Sequence, residues 1–157
     1  MSGEIRVRPA QAEVTNEPVG VLVASGLAAT AAVAMFDPEC GVGGLLHWVV
    51  PTCPPRDPHE FGPALAAESG IPWLLNELEL LGAKRENLRA ALVGAASLQG
   101  DSELDLGARN REAGRRLLAA HGIPLETEAT GGTLIRELRL DLMNGRFDIN
   151  PKEGATQ

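Results

Sequence analysis

GVLVASGLAATAAVAMFDPECGVGGLLHWVVP, residues 20–51, is the stretch from which the fold is read. It is apolar but not helical in pattern: Gly20, Gly26, Gly41, Gly43 and Gly44 interrupt it too often for a stable helix, and Val21, Val23, Val42, Val49 and Val50 favour strands. Buried strands joined by tight turns follow. The first is expected over residues 19–25, with a tight passage at 26–29 and a second apolar element over 30–35. Asp37-Pro38 makes a turn that Cys40 to Gly43 completes, and a third strand over 44–50 carries His47. His47 is the histidine set among apolar residues, so a chemical site is expected here.

Working outward, Glu4, Ile5, Arg6 and Val7 alternate in polarity and read as a short edge strand closed by Pro9, and residues 11–18 read as a polar lead-in. Residues 51–63 hold five prolines and read as a surface loop. Ser69 is the expected N-cap of a helix with Pro72 in its first turn, an apolar stripe of Ile71, Leu74, Leu75, Leu78 and Leu81, and Gly82 at its end. A strand over 88–93, the turn Gly94-Ala95-Ala96-Ser97, an acidic loop over 101–105 and a helix over 109–120 ending at Gly122 come next. A strand over 125–130, the turn Gly131-Gly132 and a hairpin of 134–142 with 146–149 around Asn144-Gly145 close the pattern, before a polar tail from Pro151. Seven or eight strands with two helices predict an α+β fold with helices on one side of two packed sheets, in one domain spanning 1–157 and ordered over about 4–150.

Charge and composition narrow the function. A net charge of -7 and a pI near 5.0 argue against nucleic acid. Arg109, Arg111, Arg115 and Arg116 cluster but, offset by Glu112, read as a solvated helix face. Gly and charged residues break every apolar run before it could span a bilayer, and MSGEIRVRP lacks an apolar signal core, so a cytoplasmic protein is expected. Cys40 and Cys53 are too few and too poorly spaced for a zinc site or disulfide framework and read as reduced thiols. His59 and His121 sit in polar or helix-end contexts and read as surface residues. Gly41-Val42-Gly43-Gly44 has neither the spacing nor the following helix of a dinucleotide fingerprint, and Glu77 and Glu79 fall on different faces of a helix, which leaves no cofactor or metal implied.

The order of features resembles one family. Gly26-Leu27-Ala28-Ala29-Thr30, Asp37-Pro38, Gly43-Gly44, and His47 to Pro51 are followed by Leu81-Gly82-Ala83-Lys84, Gly94-Ala95-Ala96-Ser97, Leu106-Gly107-Ala108-Arg109-Asn110, Gly122-Ile123 and Thr130-Gly131-Gly132. This succession, over residues 4–150, is similar to CheD, the chemoreceptor glutamine deamidases of bacterial chemotaxis. The resemblance implies an α/β/β layered fold and a Cys nucleophile, His base and orienting Thr that hydrolyse receptor glutamine side chains to glutamate. Chemoreceptor cytoplasmic helices and a CheC-like phosphatase are the partners it implies, for a protein that is a monomer alone.

The same resemblance places Thr30 where the family has its Cys, Ala24 where it has its Thr, and His47 at the histidine. A thiol gives up its proton near neutral pH far more readily than an alcohol, so Thr30 demands a strong, aligned base. Cys40 follows Asp37-Pro38, where the family has no catalytic residue; Cys53 reads as a loop thiol, and Ser25 would point to the face opposite Ala24. Three functions are therefore expected to compete: a CheD-family protein that binds receptor or a CheC-like phosphatase with deamidation weakened or absent, an active amidohydrolase using Thr30 and His47, and a small-molecule binding domain on the same scaffold.

Overall fold

The alternation that makes residues 20–51 apolar on both faces serves two different neighbours. In the computed structural model, which describes residues 3–54, 62–97 and 105–151, nine strands and two α-helices occur among the described residues. In chain order they are β1 (Glu4–Arg6), β2 (Gln11–Thr15), β3 (Val21–Leu27), β4 (Ala31–Asp37), β5 (Val42–Trp48), α1 (Ala67–Leu80), β6 (Arg89–Gly94), α2 (Leu106–Ala120), β7 (Leu125–Thr130), β8 (Arg136–Asp141) and β9 (Arg146–Asn150). One sheet has the order β2-β5-β4-β6-β7 and the other β1-β3-β8-β9.

Strands β4 and β5 are buried along their whole length. Ala31, Val33, Met35, Leu46 and Trp48 pack toward Ile71, Leu74, Leu75 and Leu78 of α1 and Ala113, Leu117 and Leu118 of α2. Ala32, Ala34, Phe36 and Leu45 pack instead against Leu22, Ala24, Leu138 and Leu140 of the second sheet. Period-two alternation thus sorts each central strand into a helix-facing and a sheet-facing row. The result is the α+β arrangement of three layers, α/β/β, expected from the sequence.

Three element assignments are corrected. Residues 11–15 are not a lead-in but strand β2, antiparallel to β5 with Gln11 opposite His47; its polar residues suit an edge strand, which has one neighbour and a wet side. This strand raises the count to nine. Helix α1 starts at Ala67 behind Ala66 rather than at Ser69, whose hydroxyl donates back to the Pro63 carbonyl at 2.7 Å. Helix α2 starts at Leu106, where Asp105 Oδ1 accepts the Ala108 N–H at 2.9 Å as an N-cap. Residues 55–61 of the proline-rich loop, residues 98–104, which include the acidic loop up to 104, and the tail from 152 lie outside the described residues.

Candidate active site

Three short segments meet at one end of the β4–β5 pair. The passage between β3 and β4 ends at Thr30, immediately before Ala31, which lies opposite Trp48 of β5. That register puts Thr30 beside His47, and Thr30 Oγ1 is 3.0 Å from His47 Nε2. The other ring nitrogen, Nδ1, is 3.1 Å from the Val7 carbonyl. A carbonyl can only accept, so Nδ1 carries the proton and the Nε2 lone pair faces Thr30, whose hydroxyl donates to it. Burial pushes the His47 pKa down and the Val7 carbonyl opposes this to a lesser degree, which keeps a neutral imidazole. His47 is buried while Thr30 is partly open to solvent.

Why the chain folds this way locally is visible in its backbone. Leaving β1, the chain crosses from the edge of one sheet to the edge of the other, and on the way Val7 offers its carbonyl to the ring while Ala10 N–H donates to the His47 carbonyl at 2.8 Å. On the other side, three successive carbonyls are held: Ala28 by Ala96 N–H at 2.6 Å, Ala29 by Asn110 Nδ2 at 2.9 Å and Thr30 by Ala95 N–H at 2.8 Å. Ala10 and Ala95 are the described non-glycine residues with positive φ, 66° and 54°, so strained alanines support both members of the pair. Gly94, at φ 107°, is required as well, because a Cβ there would lie 2.6 Å from the Thr30 carbonyl oxygen.

Ala24 is buried in the layer between the sheets, the layer that His47 also faces by its alternation with Leu45, and brings no hydroxyl. The other residues singled out from the sequence fall elsewhere. Ser25 is exposed on the outer face and accepts from Arg6 Nη1 at 3.1 Å, as alternation along β3 requires. Cys40 lies in the turn at the opposite end of the β4–β5 pair, about 20 Å along the strands at ~3.3 Å per residue. It cannot reach His47. Cys53 donates its N–H to Glu68 Oε1 at 3.1 Å, and His121 pairs with Arg85 at the end of α2; His59 lies outside the described residues. Arg109, Arg115 and Arg116 are exposed along α2. Among the described residues no three His, Cys, Asp or Glu side chains are grouped to hold a metal.

Two contributors escape a reading of the sequence: the Val7 carbonyl and Asn110. A carbonyl has no side-chain signature. Asn110 stands in the quoted 106–110 motif, but its buried partners are 81 and 61 residues away in the chain.

A match described as CheD chemotactic sensory transduction covers residues 54–151. A probable chemoreceptor glutamine deamidase CheD from Solibacter usitatus is 36% identical over 147 residues, 92% of this chain and 86% of the relative. The chain belongs to the CheD family. The chemoreceptor glutamine deamidase CheD of Thermotoga maritima is 33% identical over 88% of this chain and 86% of its own length, and a probable CheD from Symbiobacterium thermophilum is 35% identical over the same shares. The match described first lies C-terminal to Thr30 and His47, whereas these longer CheD alignments run across most of the chain. No helix among the described residues is long and apolar enough to cross a membrane.

Proposed function

We propose that this CheD-family protein acts as a single-domain, monomeric chemotaxis component that binds chemoreceptor cytoplasmic helices or a CheC-like phosphatase, with glutamine deamidation weakened or absent. The observation that carries the reading is the 3.0 Å contact between Thr30 Oγ1 and His47 Nε2. A base is present and engaged, but with an alcohol. A thiol would pass its proton to His47 ahead of attack, whereas Thr30 must lose its proton as the bond to carbon forms. Burial also disfavours the imidazolium that this transfer creates, and the group behind the ring is a neutral carbonyl rather than a carboxylate. Ala24, buried and without a polar atom, adds nothing to the donor set.

The same contact favours a second reading, an amidohydrolase that is slow but active. In it Thr30 Oγ attacks the glutamine side-chain carbon, its proton moves to His47 Nε2 and on to the departing ammonia, and water hydrolyses the resulting ester to release glutamate. A small-molecule binding domain on the same scaffold is a third reading; among the described residues, clefts of about 260, 400 and 180 Å³ are lined near Cys40, Trp73 and Arg116 respectively.

Incubating the protein with a chemoreceptor cytoplasmic fragment and following glutamine-to-glutamate conversion by peptide mass spectrometry separates the readings. The wild type is expected to show binding with little or no conversion. Thr30→Cys combined with Ala24→Thr is expected to convert. Wild-type conversion that disappears in Thr30→Ala selects the slow hydrolase instead.

A further inference from the structure

Asn110 lies on α2, fully buried, and its carboxamide makes three hydrogen bonds. Nδ2 donates to the carbonyls of Ala29 and Val49, both at 2.9 Å, and Oδ1 accepts the Trp48 indole N–H at 3.2 Å. Two carbonyl acceptors on one side and an indole donor on the other fix which way the amide points. Its three partners adjoin the candidate reactive pair: Ala29 precedes Thr30, and Trp48 and Val49 follow His47. Strand β5 ends at Trp48 and β4 begins at Ala31, so the Ala29 and Val49 carbonyls lie just beyond the strands.

We propose that Asn110 is a positioning residue for amide hydrolysis at Thr30, holding through one carboxamide the backbone on both sides of the Thr30–His47 contact. The proposal rests on the reading of these two residues as a reactive pair. Because the peptide bond is trans and planar, the Thr30 N–H points opposite to the Ala29 carbonyl. Asn110 holds that carbonyl, so the Thr30 N–H is fixed pointing away from Asn110. An amide held in this direction can donate to a substrate carbonyl oxygen as charge develops on it. Helix α2 also approaches the adjoining turn closely. Its Gly107 packs so closely on the 94–97 turn that a Cβ would meet the Ala96 carbonyl oxygen at 2.0 Å.

A merely structural role and a positioning role separate in two measurements on the intact chain. The first is the imidazole ¹⁵N signature of His47. In Asn110→Ala the Nε2 signal is expected to move to that of an unengaged lone pair and the Thr30 hydroxyl proton signal to be lost, while Leu118→Ala, a cavity variant two turns further along α2, leaves both in place. The second is turnover in the Thr30→Cys, Ala24→Thr background, where Asn110→Ala is expected to lower kcat roughly 10²-fold with KM little changed, the loss expected for a small misplacement of reacting groups. An unmoved His47 signature, or an unmoved kcat, in a folded Asn110→Ala protein overturns the proposal. If the background converts no glutamine, the functional reading fails and the His47 signature alone decides the role of Asn110. If Asn110→Ala does not fold, Trp48→Phe, which removes the indole N–H that orients the carboxamide together with part of a buried ring, is expected to shift the same signature in the same direction by less, with Leu118→Ala as the control for cavity formation alone; a signature that moves no more than in Leu118→Ala overturns the proposal equally.

Discussion

A neutral imidazole in an apolar layer titrates differently from one in water. Burial holds the His47 pKa below its ordinary value, so between about 6.5 and that lower value the unfolded chain binds a proton the folded chain refuses. Stability from this group is complete above the unfolded pKa and is lost as pH falls through the window toward the folded one. The thermal midpoint is therefore expected to fall on going from neutral pH to moderately acid pH, and His47→Gln to flatten that part of the profile. A wild-type midpoint that does not move there contradicts the buried neutral state. Asp37 works at lower pH: burial opposes its charge, but N–H groups of Lys84 at 2.9 Å and Glu39 at 2.8 Å outweigh it and hold the carboxyl below its usual value. At this scale the sequence names Thr30 and His47, because motif order brings side-chain types into view. It is silent on what aims them, since Val7 acts through its main chain and Asn110 binds main-chain atoms.

Among the elements, α2 carries the sharpest constraint. Gly107→Ala is expected to cost about 1–3 kcal/mol, as overpacking does, because neither the helix backbone nor the Ala96 carbonyl can move aside cheaply. The urea midpoint should drop at constant slope, and the Thr30 contact should loosen with it; an unchanged midpoint would refute the close packing. The start of this helix is hard to read from sequence for the same reason. A glycine in the first turn argues locally against helix, and only the tertiary approach to residues 94–97 explains its presence. Strand β2 is obscured differently. Gln11, Ala12, Glu13, Val14 and Thr15 do alternate in polarity, but with only Ala12 and Val14 apolar the alternation is submerged in the polar run to Pro18, and pairing with β5 supplies what propensity does not. The hairpin at Asn144-Gly145 is legible because its turn chemistry is local.

At the level of the whole molecule, one sheet is shared by two cores. Leu74→Ala opens the layer beneath the helices and Leu140→Ala the layer between the sheets. Each is expected to cost about 2–5 kcal/mol. Because β4 and β5 belong to both layers, tryptophan fluorescence and far-ultraviolet dichroism should report one coincident transition in either variant; separated transitions would show that the layers melt independently. That the central strands are buried on both faces is evident in their unbroken apolar composition. Which row meets helices and which meets strands is not, because alternation distinguishes two faces without naming them. One further consequence follows from the way residue 30 is held. The Ala95 and Asn110 bonds to this turn grip main-chain atoms, and so does the Ala10 bond to His47. The cradle takes no notice of which side chain it presents. The side chain at position 30 can therefore change while the main-chain frame that holds it is inherited unchanged.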